Sequence, residues 1–255
     1  MDLQSTQIKQ IIDRGGLLYL FSEGGVDIYR QDTWQRQAWA SLPGVRSGAV
    51  NDLGVWLGTA FGVWHLPHGV SGGASSRLTL TYTDLTATAL ASADVKGLAG
   101  LGSALAVVTA AGVDFIPAPG AVYRYTGLLL PGAVALSSTS LAYAVQSGLH
   151  LVAIPAVDWD ATAATVLSTT STPALLSDSV QALAWGTDLF IGTVGGLNVF
   201  DPGAVSLAAI TSELGTVVDV KALSPTPTAT AAAGFCAVGT ADGANGGQFT
   251  ILQMG

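Results

Sequence analysis

Residues 189–202 read LFIGTVGGLNVFDP, which is a short apolar strand, a turn of small residues that ends in glycine, and a second apolar strand. Apolar side chains alternate on both sides of the turn, as in a strand with one buried face. Glycine adopts the positive φ of a tight turn without steric cost. The stretch therefore predicts a β-hairpin.

The same pattern returns five more times along the chain. The other copies are LLYLFSEGGVDIYR (17–30), VWLGTAFGVWHLP (55–67), ALAVVTAAGVDFIPA (104–118), LAYAVQSGLHLVAIP (141–155) and FCAVGTADGANGGQFTILQ (235–253). Their turn glycines are Gly25, Gly62, Gly112, Gly148, Gly196 and Gly247. These glycines lie about 44 residues apart on average, which is the period of a four-stranded propeller blade.

A further candidate strand precedes every copy, and another follows every copy except the last. The preceding segments, predicted to be inner strands, are 8–12, 48–52, 95–100, 132–137, 180–185 and 217–223. The following segments, predicted to be outer strands, are 34–40, 78–83, 121–127, 165–171 and 206–212. The sequence therefore predicts an all-β fold, a six-bladed β-propeller of four-stranded antiparallel blades, in a single domain over residues 1–255. The last blade is expected to be short or closed by the N-terminus, with residues 1–6 as its outer strand.

Two copies share a more detailed motif with their preceding strands. Its residues are Asn51, Asp52, Gly54, Trp56, Gly58, Thr59 and Gly62 in the second copy, and Gly186, Asp188, Gly192, Thr193, Gly195 and Gly196 in the fifth. This pattern resembles the two-component-regulator propeller repeat, in which Asp or Asn with Gly is followed by W-I-G-T and a Gly-Gly turn. The resemblance implies a blade type. No transmembrane, kinase or DNA-binding segment accompanies it in this sequence, so signalling is not implied.

Charged residues make up only 10% of the chain, with nine basic against seventeen acidic residues and a net charge of −8. Soluble domains usually carry about 25% charged residues. A chain with so few cations lacks the basic surface that nucleic acids and anionic lipids require. The composition therefore predicts no nucleic-acid partner.

The sequence predicts no cofactor and no metal site. Cys236 is the one cysteine, which excludes an intrachain disulfide and Cys-based zinc clusters, and we expect it to be a buried structural thiol. His65 and His68 share no helical face, and His150 lies in a predicted strand. The TADGANGG turn (240–247) offers too few oxygen ligands for Ca²⁺ and is interpreted as part of a hairpin.

Membrane insertion is not expected either. The N-terminal stretch MDLQSTQIKQIIDR has no apolar core of a secretory signal. The apolar stretches 97–113 and 125–157 are interrupted by glycine, proline and serine, so strands around turns fit them better than spanning helices. We expect a protein made in the cytoplasm.

Acid–base catalysis calls for two carboxylates in contrasting environments. The chain has two glutamates, Glu23 and Glu213, and neither has an evident partner. The ionisable residues of the predicted inner strands, Asp52, Lys96, Asp219 and Lys221, are interpreted as rim charges or ion pairs of a channel. The sequence therefore predicts that the protein is not an enzyme.

The scarcity of charge and the mean hydropathy of +0.51 favour a surface made for contact. We expect a structural or adhesive module in a larger assembly, such as a phage tail, baseplate or virion-surface component, whose partners are other protein subunits, including copies of itself. Long loops at 69–76, 155–164 and 224–234 suit such contacts. The candidate contact residues are Trp34, Trp39, Asp52, Lys96, Trp159 and Asp219.

Two alternatives remain open. One is a sensor-like propeller that binds a small molecule or a carbohydrate, for which Trp34 and Trp39 would form an aromatic platform. The competing interpretation of these tryptophans is packing between the first two blades. The other alternative is a lactonase- or lyase-like enzyme that uses the channel mouth.

Overall fold

The computed structural model contains six β-sheets that follow one another along the chain. It describes residues 5, 7–67, 76–77, 81–82, 90–118, 121–125, 133–154, 165–210, 214, 219–225, 229–242 and 246–254. These residues contain no α-helix, and none of them forms a helix that could cross a membrane. The protein is a six-bladed β-propeller, as the repeat predicts. Three blades belong to each of two compact units, Met1–Thr126 and Gly127–Gly255, and the assignment of residues 1–255 to one domain stays a prediction.

The first unit contains blades one to three. Blade one consists of β1 (Ile8–Arg14), β2 (Leu17–Ser22), β3 (Gly25–Arg30) and β4 (Arg36–Ser41). Blade two consists of β5 (Ser47–Asn51), β6 (Gly54–Thr59), β7 (Gly62–Pro67) and, after the two-residue β8 (Ser76–Arg77), β9 (Thr81–Tyr82). Blade three consists of β10 (Val95–Leu101), β11 (Ala104–Thr109), β12 (Gly112–Ala118) and β13 (Ala121–Tyr125). Strand β8 pairs in parallel with β4 and so extends blade one to five strands.

The second unit contains blades four to six. Blade four consists of β14 (Val134–Leu136), β15 (Ser140–Val145), β16 (Gly148–Ala153) and β17 (Thr165–Leu167). Blade five consists of β18 (Val180–Trp185), β19 (Leu189–Thr193), β20 (Gly196–Asp201) and β21 (Ser206–Ile210). Blade six consists of β22 (Val220–Pro225), β23 (Gly234–Asp242) and β24 (Gly246–Met254). Its predicted closing strand, residues 1–6, lies outside the described residues except for Ser5.

Neighbouring blades of a unit pack through their apolar faces, with a glycine at the closest approach. A Cβ atom on Gly58 of blade two would overlap Val95 of blade three, and one on Gly192 of blade five would overlap Val220 of blade six. Because interiors are close-packed, a side chain at either glycine would push the next blade away. The glycine of the W-I-G-T motif thus leaves the space in which the first strand of the following blade packs.

The threonine of the same motif caps the hairpin between the second and third strands. Thr193 Oγ1 donates to the Gly196 carbonyl at 3.0 Å and accepts from the Gly195 amide at 3.1 Å. Thr59 and Thr109 make the corresponding bonds in blades two and three. These caps satisfy backbone groups that the tight turn would otherwise leave unpaired inside the fold.

Candidate functional site

The charged residues singled out from the sequence lie in ion pairs at the ends of the first strands. Asp52, in the β5–β6 turn, pairs with Arg14 of blade one. Lys96 Nζ lies 2.8 Å from Asp94 Oδ2, and Lys221 Nζ lies 2.8 Å from Asp219 Oδ2. Each of these charges is thus paired with an opposite charge of the same chain, and a position at the rim of a channel stays a prediction.

Several of these polar contacts join neighbouring blades. Arg46 of blade two pairs with Asp94, which lies just before blade three. In the second unit, Lys221 Nζ of blade six donates to Gln181 Oε1 of blade five at 3.3 Å. The hydrogen bond from Lys96 is the main cause that lowers the pKa of the Asp94 carboxyl. Asp94 is therefore ionised at neutral pH and joins the two cations around it.

The three tryptophans proposed for contact have different surroundings. Trp34 lies in the β3–β4 loop with φ of 55° and is 57% exposed, so its assignment to the outer strand is wrong. The strand begins two residues later because Trp34 adopts this left-handed conformation. Trp39 lies in β4 with the Arg36 guanidinium 5.0 Å from its ring. Trp159 is outside the described residues.

His65 supports blade two. Its ring stacks on Trp56 at a centroid distance of 4.0 Å, and its Nε2 lies 3.0 Å from the Leu53 carbonyl oxygen. The Trp56 indole donates to Asn51 Oδ1 at 2.8 Å. The second histidine of the H-x-x-H pair, His68, lies outside the described residues.

Two other titratable groups are shielded from water. His150 Nδ1 lies 3.2 Å from the Tyr143 hydroxyl, and burial lowers the pKa of the imidazole. Cys236 is buried, as predicted, and burial raises the pKa of its thiol to about 11. Within the described ranges, no three His, Cys, Asp or Glu side chains come together in a way that could hold a metal ion.

A cleft of about 390 Å³ lies between blades one and two. Its lining residues are Lys9, Glu23, Leu42, Pro43, Gly44, Val45, Arg46, Thr59, Ala60, Phe61 and Trp64. One wall is the segment from β4 to β5, which backbone hydrogen bonds fasten to the β2–β3 turn. The Gly44 amide donates to the Glu23 carbonyl at 2.8 Å, and the Leu42 amide donates to the Gly24 carbonyl at 2.9 Å.

The opposite wall of the cleft carries two aromatic side chains of blade two. Phe61 is 79% exposed at the tip of the β6–β7 turn, where its amide donates to Thr59 Oγ1 at 3.0 Å. Trp64 packs partly against the core shared by blades one and two.

Phe61 and Trp64 are not among the residues predicted from the sequence, although the repeat contains a signal for both. The residues equivalent to Phe61 are Gly24, Ala111, Ser147 and Gly195. The residues equivalent to Trp64 are Asp27, Asp114, His150 and Asn198. Blade two thus has an aromatic residue at two positions where the four hairpins that align with it carry small or polar ones.

A second surface feature lies on blade six. Phe235, Phe249 and Ile251 are 49%, 71% and 64% exposed, and strand pairing places them on one face of the sheet. We call these three residues the blade-six patch. The other face of the same strands, with Cys236, Val238 and Leu252, packs against blade five. Strand β24 therefore carries apolar residues on both of its faces, whereas a strand with one buried face alternates apolar and polar residues.

Comparison with known proteins supports the fold. No protein-family model and no curated protein sequence matches this chain. The chain is similar in structure to the extracellular domain of the putative hybrid two-component system BT4673 from B. thetaiotaomicron, with a TM-score of 0.64, 16% identity, and coverage of 96% of this chain and 32% of that one. It is similar to the corresponding domain of BT3049 from the same organism, with a TM-score of 0.54, 13% identity, and coverage of 96% and 40%.

An ancestral GH74 enzyme is also similar, with a TM-score of 0.60, 12% identity, and coverage of 98% of this chain and 37% of the enzyme. The chain thus spans between about a third and two fifths of the length of these structures. At these identities the similarity shows the fold alone. The repeat resemblance found in the sequence agrees with the two sensor-domain structures.

Proposed function

We propose that this protein is a non-catalytic propeller that works by contact with another protein subunit, and that the subunit is a second copy of this chain. The observation that carries the proposal is the blade-six patch. It exposes two phenylalanines and an isoleucine on one face of the sheet. Contiguous apolar surface of this kind typically marks an interface, whereas single exposed apolar residues are ordinary.

The composition of β24 favours self-association over a charged partner. Strand β24 is the outer strand of blade six among the described residues. Its residues 246–254, GGQFTILQM, contain no charged residue and no proline, the two features that usually protect such a strand. The net charge of −8 opposes self-association by repulsion between two copies, but none of that charge lies on β24. Two patches that meet around a twofold axis bury no charge.

The charged residues support contact rather than catalysis. Asp52, Asp94 and Asp219 lie in ion pairs with arginine or lysine. The hydrogen bond from Lys96 lowers the pKa of the Asp94 carboxyl, which makes this group a poor proton donor. All three carboxylates are engaged by cations of the chain itself. The similar structures include extracellular domains of two-component systems and a GH74 enzyme, so the fold itself is compatible both with binding and with catalysis.

The test is the oligomeric state across concentration. Sedimentation velocity from about 1 µM to about 500 µM should show the wild-type chain passing from monomer to dimer. The variant F249S/I251T should stay monomeric with an unchanged melting temperature, because both side chains are already exposed. Val166→Thr is the matched control, since Val166 is 44% exposed on β17 of another blade.

Two results would overturn the proposal. One is a wild-type chain that stays monomeric throughout the range. The other is a dimer that forms equally well in the double variant, because the interface would then lie elsewhere.

A further inference from the structure

The cleft between blades one and two has the composition of a ligand site. We infer that it binds an acidic carbohydrate, whose ring packs on Phe61 and whose carboxylate lies between Lys9 and Arg46. This inference goes beyond the proposed function and is independent of it, because the cleft belongs to Met1–Thr126 and the blade-six patch to Gly127–Gly255.

The aromatic side chains are the first reason. At the turn position of Phe61, glycine, alanine or serine is sufficient for the fold, as the equivalent hairpins show. The large ring at 79% exposure therefore contributes little to packing within blade two. An exposed aromatic face at the mouth of a cleft is well suited to the C–H face of a sugar ring, since it offers large apolar area with few rotatable bonds.

The charges give the second reason. Two cations, Lys9 and Arg46, and one carboxylate, Glu23, line the cleft. Asp94, which pairs with Arg46, also pairs with Lys96, so these five charged groups together carry one net positive charge in a protein of net charge −8. Arg46 is held in place through its Nη1 atom, which pairs with Asp94. Its guanidinium has five N–H donors, so further donors can serve an anion. A carboxylate is one of the anions that can accept two parallel N–H bonds from a guanidinium.

Glu23 favours a sugar acid over a hydrocarbon acid as the ligand. A second anion near the ligand's carboxylate would be unfavourable unless the ligand also brings donors, and sugar hydroxyls are such donors. The backbone of Glu23 is fixed by the bond from Gly44, so the position of this residue in the wall is set. The volume of about 390 Å³ is in the range of small-ligand sites and has room for one or two sugar rings.

The experiment uses the full chain and three probes. These are a disaccharide ending in glucuronic acid, the matching neutral glucose disaccharide, and acetate as a carboxylate without a ring. Tryptophan fluorescence and isothermal titration calorimetry follow binding up to about 20 mM ligand. We expect saturable binding of the acidic disaccharide, at least about tenfold weaker binding of the other two probes, and loss of affinity in about 0.5 M salt.

Two substitutions test whether the ligand binds in this cleft. Phe61→Ala should weaken binding of the acidic disaccharide by at least about fivefold, and Lys9→Gln should remove most of the preference over the neutral sugar. Their matched controls are Tyr123→Ala, an exposed aromatic residue of blade three outside the cleft, and Lys221→Gln, a lysine in an ion pair of blade six. Both controls should bind like the wild type.

Three outcomes would overturn the inference. Absence of saturable binding would show that the cleft is not a binding site for this ligand. Equal affinity for the neutral disaccharide or for acetate would show that an acidic sugar is not its preferred ligand. Binding that Phe61→Ala leaves unchanged places the ligand outside this cleft.

Discussion

At the scale of single residues, the turn caps give the most direct link between sequence and stability. Thr193 is fully buried, and its hydroxyl serves both a donor and an acceptor of the turn. Valine has the same shape without the hydroxyl. We expect Thr193→Val to lower the free energy of unfolding by about 1–3 kcal/mol, measured by urea denaturation, because two turn groups lose their partner.

Ser22 provides the control for this prediction. It occupies the corresponding position in blade one, where it pairs with Gly25 in the strand register. Its buried Oγ has no hydrogen-bond partner among the described residues. Ser22→Ala should therefore leave the stability unchanged or raise it. Equal losses in the two variants would contradict the role of the hydroxyl as a cap.

His150 predicts a dependence of stability on pH. Burial lowers the pKa of its imidazole in the folded protein, whereas the unfolded chain has the ordinary value of about 6.5. Below that pH the unfolded state takes up a proton that the folded state resists, so stability falls as the pH is lowered from 7 to the folded pKa. The urea midpoint of His150→Gln should fall less over this range than that of the wild type.

Some side chains of the candidate site could not be identified from the sequence. Cys236 was identified as buried because it alternates with apolar neighbours in a strand. Trp34 was placed in a strand because its neighbours favour strand, but its positive φ ends the pairing before it. Phe61 and Trp64 were missed because apolar residues in a hairpin were assigned to the core, without comparing each position across the copies.

At the scale of elements, the hairpin pattern predicts the strands well because glycine turns and alternation are local properties. The first strands, for example Val180–Trp185, lie where the sequence places them. Strand β8 could not be predicted, since its two residues pair in parallel with a strand of another blade. Such pairing depends on the position of blade one and leaves no periodicity in the sequence.

The contact between Gly192 and Val220 predicts a compensating pair of variants. Gly192→Val should overpack the boundary between blades five and six and lower the free energy of unfolding by about 1–3 kcal/mol. Val220→Ala alone should also destabilise, because it leaves a cavity. In the double variant the new methyl groups occupy the space that Val220 leaves.

A double-mutant cycle measures this compensation. The loss in the double variant should be smaller than the sum of the two single losses. Strictly additive losses would contradict direct contact between the two positions.

At the scale of the whole molecule, the prediction of a single domain has a simple test. The pKa of about 11 keeps the Cys236 thiol of Gly127–Gly255 protonated at pH 8, so it should react with a thiol reagent only on unfolding. In a variant with Trp159→Phe and Trp185→Phe, the four remaining tryptophans all belong to Met1–Thr126, so their fluorescence reports on that unit. One shared urea midpoint for both signals is expected of a single cooperative domain, and two separate midpoints would contradict it.

The close contact between Gly192 and Val220 also bears on how such a chain could have evolved to its present length. Gly192 belongs to the second strand of one repeat, and Val220, which fills the space beside it, belongs to the first strand of the next. A tandem gene duplication of one repeat therefore supplies both halves of the new contact at once. A protein built in this way can gain a blade in a single genetic event, and point substitutions can afterwards make one copy different from the rest, as the aromatic pair does in blade two.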